Sequence, residues 1–206
     1  SDTLVLKSIG TVPRHLFVPP SVRPKAYADH PLAIGFNQTI SQPYIVALMT
    51  ELLQLKPDQK ILEVGTGSGY QAAVLAEIVD TVFSVEIIPE LTLFARQNLT
   101  RAGYTNVVTS TRDGYRGWPE HAPFDGVIVT AAPDHVPLPL VDQLTPGGVL
   151  VIPVGQRYQE LIVIRKAADG KTSRERKIAV RFVPMTGEAL TGEAPSDETT
   201  TGGKQK

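Results

Sequence analysis

Three glycines crowd into Glu63-Val64-Gly65-Thr66-Gly67-Ser68-Gly69, the sharpest chemical signal in the chain. Glycine is needed where the backbone turns sharply or where a ligand must come close to it. The loop follows an apolar strand, residues 60–64, and precedes a helical stretch, residues 69–79. In an open α/β sheet, a cofactor sits at the carboxyl end of the first strand. A dinucleotide calls for G-x-G-x-x-G, with its pyrophosphate on the helix N-terminus. Here the spacing is G-x-G-x-G behind an acid, Glu63. Gly65, Thr66, Gly67 and Ser68 are therefore candidate cofactor contacts, and a glycine turn without a ligand is the alternative.

An acid followed by this glycine spacing resembles the first motif of class I methyltransferases. That resemblance associates Glu63 with the methionine end of S-adenosylmethionine and puts the glycines beneath the cofactor. A second acid, Glu86, ends the next strand about 20 residues after the loop, where a carboxylate can accept hydrogen bonds from ribose hydroxyls. A solvent-facing glutamate is the other reading. Asp113-Gly114 follows the third strand. The resemblance would aim Asp113 at the adenine amino group, with Gly114 beside it, yet Asp-Gly also favours turns for its own reasons.

The elements that must position these residues follow an alternating pattern. Residues 1–14 read as the end of a helix, because Leu4, Val5, Ser8, Ile9 and Val12 recur at helical spacing. A long proline-rich stretch with no predicted element follows and closes on Gly35-Phe36-Asn37-Gln38-Thr39-Ile40-Ser41-Gln42-Pro43. Loops of this length are often functional. Residues 43–55 form an amphipathic helix with proline in its first turn. Strands are expected at 60–64, 81–86, 107–111, 125–130 and 148–153, and helices at 69–79, 89–101 and 139–144. Residues 160–165 and 179–184 read as a late strand pair. The expected fold is α/β, a doubly wound, Rossmann-like, mostly parallel sheet with an antiparallel edge. One domain should span residues 1–187, followed by a disordered tail, 188–206, too poor in apolar residues to fold.

Further segments carry a closer resemblance. Val12-Pro13-Arg14-His15-Leu16-Phe17-Val18-Pro19, the Ile34–Tyr44 segment I-G-F-N-Q-T-I-S-Q-P-Y, and E-V-G-T-G-S-G-Y-Q from Glu63 resemble the protein-L-isoaspartate (D-aspartate) O-methyltransferase family. Gly114-Tyr115-Arg116-Gly117-Trp118-Pro119, Val129-Thr130-Ala131-Ala132, Leu150 to Gly155 and Val180 to Thr186 extend the likeness. The resemblance implies methyl transfer from S-adenosyl-L-methionine, leaving S-adenosyl-L-homocysteine, to the free carboxylate of L-isoaspartyl and D-aspartyl residues in damaged proteins and peptides. Two departures stand out. The family begins with a further N-terminal helix, and Arg112 stands where the family has glycine, which would disturb cofactor affinity if that position needs positive φ.

The chemistry asks little of the protein. A carboxylate has a pKa of about 4 and is ionised at neutral pH, so no strong base is needed. Alignment of the carboxylate with the methyl group, at roughly 3–3.5 Å, matters more. A hydroxyl can donate one hydrogen bond to a carboxylate and leave its other oxygen free. The family's active-site serine matches Ser41, although Ser41 also suits a helix N-cap. Thr39, Ile40 and Ser41 are implied cofactor neighbours, as is Thr186. Gln38 and Thr39 would shape the substrate pocket, or simply bond within their loop. Val154 and Gly155 could line a peptide groove, or form a plain connection between strands.

Composition narrows the field. The chain has 206 residues and a formal net charge of -1, without the basic excess of a nucleic-acid binder. It has no cysteine, hence no disulfide, cysteine nucleophile or thiolate metal site. His15, His30, His121 and His135 are scattered, and no metal is expected. No apolar run reaches the ~20 residues of a membrane span, and no signal peptide opens the chain. A cytoplasmic monomer is expected, with no nucleic-acid or membrane partner, although the missing initial methionine leaves a lost leader open. The alternatives are a methyltransferase of RNA or a small molecule, a cofactor-binding module without catalysis, and a nucleotide-linked dehydrogenase. Charge argues against the RNA enzyme, an intact Ser41 against the module, and glycine spacing against the dehydrogenase.

Overall fold

The structure is a computed structural model that describes residues 2–191. Its centre is a seven-stranded sheet built from β3 (Lys60–Val64), β4 (Thr81–Glu86), β5 (Val107–Thr111), β6 (Phe124–Val129), β7 (Leu144–Val154), β8 (Gln159–Lys166) and β9 (Thr172–Val180). The spatial order is β5-β4-β3-β6-β7-β8-β9. The strands β3 to β7 run parallel, and β7-β8-β9 run antiparallel. The chain lays down β3, β4 and β5 in one direction, then returns to place β6 on the other side of β3. The switch point lies between β3 and β6, where ligands bind in open α/β sheets.

The inner strands are apolar on both faces, as strands of a covered parallel sheet must be. Ile61, Val82, Ile128, Val151 and Val163 enter one buried cluster. Their neighbours Leu62, Phe83, Val127, Leu150 and Ile162 enter the other. The helices α1 (Thr3–Thr11), α2 (Pro43–Leu53) and α3 (Tyr70–Ala76) contribute to the first cluster, as does α4 (Pro89–Ala102). Leu140 of the short helix α5 (Leu138–Asp142) packs into the second.

Three expectations need correction. The proline-rich stretch contains a small hairpin, β1 (Leu32–Gly35) and β2 (Gln38–Ile40), turned by Phe36 and Asn37 at φ 52° and 57°. Both central residues are left-handed, as in the tight turns that match strand twist, but phenylalanine is an uncommon choice there. The last strand is Thr172–Val180, and only its end overlaps residues 179–184. It is an exposed edge, T-S-R-E-R-K-I-A-V, whose charge suits an unpaired border and hides its strand character.

The domain boundary also moves. A 3₁₀ turn, Gly187–Leu190, docks onto the domain. The Glu188 amide donates to Asp113 Oδ2 (2.7 Å), its carboxylate pairs with Arg116, and Ala189 is buried. Those contacts hold residues 188–191 that were expected to be tail. The rest of that tail, residues 192–206, lies outside the described residues.

Candidate active site

The carboxyl ends of β3, β4 and β6 open into a cleft of about 620 Å³. Gly65 and Gly67 form part of its wall, with Glu86, Gly114, Gln38, Thr39 and Thr186. These seven expected residues come together from five separate stretches of chain. The cleft also takes Val64, Val85, Ile87, Ile88, Thr130, Ala131, Val183, Pro184 and Met185, none of which was expected as a contact. The apolar Ile87-Ile88 pair directly after Glu86 is a local signal for part of this wall, and Thr130, Ala131 and Val183 to Met185 lie in segments that carry the family resemblance. The Val183 to Met185 wall is made by tertiary pairing: the Ala132 amide donates to Val183 O, and the Met185 amide donates to Ala132 O (2.8 Å each).

Two glycines of the loop have different reasons. Gly65 (φ 97°) lies against Thr130, and a β-carbon there would collide with the threonine hydroxyl. That hydroxyl donates to Gly65 O (2.6 Å). Gly65 is thus required by the packing of β6 on the loop, and not only by a ligand. Gly67 (φ 53°) has open space on its α-carbon, with only Ile34 Cδ1 at 3.4 Å from a built β-carbon. Its amide donates to Glu86 Oε2 (2.8 Å), and the Ile88 amide donates to Glu86 Oε1 (3.1 Å). Two backbone donors therefore aim this nearly buried carboxylate at the cleft edge.

Glu63 stands elsewhere. It is fully buried and does not line the cleft. Ser84 Oγ donates to its carboxylate, and Thr66 Oγ1 lies 2.6 Å from Ser84 Oγ. The acid braces the loop from behind through two hydroxyls. Burial pushes its carboxyl up to about 8, opposed by the Ser84 hydrogen bond and assisted by the charge of Glu86. An unfolded glutamate ionises near 4.5. Between these values the folded protein keeps a proton that the unfolded chain has lost. Stability from this group is therefore full below the lower value and falls as pH rises to the upper one. Glu63→Gln should flatten that slope, which is at most about 1.4 kcal/mol per pH unit. Denaturant titrations across the window check it.

Asp113 also acts from outside the cleft wall. Its Oδ1 accepts from the Tyr115 amide (2.9 Å) and its Oδ2 from the Glu188 amide. It ties the end of β5 to the C-terminal segment, so its geometry does not single out an adenine contact. Gly114 does border the cleft, and a β-carbon there would strike Val64. Arg112 keeps negative φ, pairs with Glu120 (2.8 Å) and stacks over Trp118 (4.5 Å). It turns away from the cleft, so the expected disturbance of the cofactor site finds no support.

Two more cavities adjoin the first. A pocket of about 330 Å³ is lined by Thr39, Ile40, Ser41, Thr66 and Ser68, with Tyr70 and Gln71 of α3. An open groove of about 1040 Å³ runs past Pro31, Ser41, Gln42 and Ile45, with residues 179–183 opposite. Thr39 and Thr130 line all three spaces. Val154 and Gly155 line none of them. Gly155 turns β7 into β8, where a β-carbon would strike Tyr158 O. The strand ends there in a tight reversal.

Ser41 is not the cap of α2. That helix begins after Gln42, and the Tyr44 amide donates to Asp29 Oδ1 (3.0 Å) while Gln42 Nε2 donates to Asp29 Oδ2 (2.9 Å). The Tyr44 amide and the Gln42 side chain hold the Asp29 carboxyl below its usual range. Among the described residues the Ser41 hydroxyl makes no hydrogen bond. It is half-buried at the junction of the pocket and the groove.

The cleft fits S-adenosylmethionine. It offers apolar walls for a ring, a carboxylate at Glu86 for hydroxyls, and side-chain-free backbone at Gly67 and Gly114.

Known proteins place the chain. The family model for Protein-L-isoaspartate(D-aspartate) O-methyltransferase matches residues 1–190. A protein-L-isoaspartate O-methyltransferase of Picosynechococcus is 56% identical over 187 residues, covering 91% of this chain and 84% of its own. Protein-L-isoaspartate O-methyltransferase 2 of Syntrophobacter fumaroxidans is 54% identical over 188 residues, covering 90% and 76%. A Plasmodium falciparum structure assigned to the same activity, in complex with S-adenosyl-L-homocysteine, superposes with a TM-score of 0.79 at 26% identity, covering 90% of this chain and 91% of its own. The chain belongs to the protein-L-isoaspartate (D-aspartate) O-methyltransferase family.

Proposed function

We propose that the chain repairs damaged proteins by methylating the free α-carboxylate of L-isoaspartyl residues, and the free side-chain carboxylate of D-aspartyl residues, with S-adenosylmethionine as donor. The observation that carries this reading is the meeting of three cavities at Thr39 and Thr130. The cleft, with Glu86 beside apolar walls, suits a cofactor, and the groove past Ser41 suits an extended peptide. When bound, S-adenosylmethionine supplies an electrophilic methyl group. Glu86, Gly67, Gly114 and Thr186 would hold it, with Ile87, Ile88 and Met185 as apolar wall. Thr66 and Ser68 would support the loop from the inner pocket.

Ser41 donates a hydrogen bond to one oxygen of the substrate carboxylate and orients the other for attack. Thr39 and Thr130 wall the junction where the cofactor and the peptide would meet. No group is needed to remove a proton, since the carboxylate is already ionised. The ester formed is then attacked by the next backbone amide of the substrate. Methanol leaves, and the succinimide can reopen to normal aspartate.

Among the described residues no helix is long and apolar enough to cross a membrane. A cytoplasmic monomer acting on isoaspartyl-bearing proteins, with neither nucleic acid nor membrane as partner, completes the reading. Labelled methyl transfer to an isoaspartyl peptide, beside its normal aspartyl twin, tests it. Label should enter the isoaspartyl peptide and not the twin. Equal labelling of both would overturn the repair assignment.

A further inference from the structure

Arg14 lies in the Val12–Pro19 signature, and nothing in the proposed chemistry uses it. It is among the largest fully buried side chains of the protein, at 1% exposure. Its Nε donates to Ala26 O and its Nη2 to Ser41 O, both at 2.8 Å. Its guanidinium lies 4.7 Å from the centre of the Tyr70 ring, on the residue that opens α3 after the glycine loop. One cation therefore joins the N-terminal 3₁₀ turn, the proline-rich stretch, the candidate catalytic loop and the helix behind the cofactor loop. A buried cation is costly to desolvate and is weak evidence for stability. It does bring geometric precision, because the planar fork holds two acceptors in a fixed relation that a lysine cannot reproduce.

The bond to Ser41 is to its carbonyl. The Ser41 hydroxyl makes no hydrogen bond of its own among the described residues. No side-chain bond places it, so its position beside the groove follows from its backbone. On the Arg14 side that backbone is fixed by Nη2, and on the other side Asp29 fixes it by binding Gln42 and Tyr44. We propose that Arg14 is a positioning residue for methyl transfer: by clamping the carbonyls of Ala26 and Ser41 it aims the Ser41 hydroxyl at the substrate carboxylate. It touches neither the cofactor cleft nor the substrate groove. Its loss should appear in turnover and not in cofactor affinity.

This inference rests on the methyltransferase reading, whose own failure would show as an inactive parent protein. With an active parent, two variants are measured for kcat and KM on an isoaspartyl peptide, for cofactor affinity by calorimetry and for melting temperature. Arg14→Lys keeps a cation but can reach one carbonyl at a time. It should stay folded and bind cofactor like the parent, while kcat falls by about 10- to 100-fold, the scale of small misplacements in reacting geometry. Arg14→Ala should lose at least as much, and free guanidinium at non-denaturing concentration should restore part of its kcat while leaving the parent unchanged. Parental kcat in Arg14→Lys would overturn the proposal. So would an Arg14→Ala protein that loses activity only in proportion to its unfolded fraction and ignores guanidinium.

Discussion

Gly67→Val is expected to reduce S-adenosylmethionine binding by at least about 100-fold, close to 3 kcal/mol, while the protein stays folded. The glycine faces the cleft, and its amide donates to Glu86. A valine there would fill the space in front of the loop and turn the amide from the carboxylate that the cleft depends on. The protein itself has room for the new β-carbon, since only Ile34 stands near it. The cost to folding is then mainly the left-handed backbone at φ 53°, about 1–2 kcal/mol for a residue with a β-carbon. The same change at Gly65 or Gly114 would instead drive a side chain into Thr130 or Val64 and damage the fold. Gly67 is thus the position where ligand binding and folding separate. Calorimetry and a thermal melt on one preparation read both, and parental affinity would remove Gly67 from the cofactor site.

Ser41→Ala is expected to lower kcat by about 100-fold, the scale for lost alignment, with cofactor affinity and melting temperature unchanged. The hydroxyl takes no part in capping α2, because Asp29 performs that task. The truncation therefore leaves no buried group without its partner, and a fall in rate cannot arise from a frayed helix. A normal aspartyl side chain also carries a carboxylate, so charge cannot discriminate between the two peptides. Discrimination must come from where the peptide's two arms leave the carbon bearing the carboxylate. Steady-state kinetics on an isoaspartyl peptide check the loss, and full activity would reduce Ser41 to a plain wall residue.

Much of this architecture is legible without coordinates. The sequence pattern predicts strands at residues 60–64, 81–86 and 107–111, and β3, β4 and β5 have those bounds. Strands buried on both faces leave short apolar runs, and the turns between them carry glycine and proline. The β1–β2 hairpin escaped because Phe36 supplies a left-handed residue where Asn or Gly would signal a turn. Strand β9 escaped because an edge exposed on both sides has no apolar period to detect. The end of the domain falls later than composition suggests, since Ala189 is a single apolar residue in a turn docked by partners distant in sequence, Asp113 and Arg116.

The candidate site divides along the same line. Motif and strand order by themselves determined the class of cofactor, the glycine loop at the end of β3 and Ser41 before α2, because these depend on residues adjacent in the chain. Tertiary structure alone decided which acids face the cleft. Glu63 and Glu86 both stand at or near strand ends, yet one carboxylate points into the core toward Ser84 and the other to the backbone amides at the cleft edge. Only the packing of neighbouring strands settles that choice. Thr130, the Val183–Met185 wall and the Arg14 clamp belong to the same class: each acts by meeting a backbone group far away in sequence, and a backbone carbonyl or amide has no letter in the sequence by which its partner could be read.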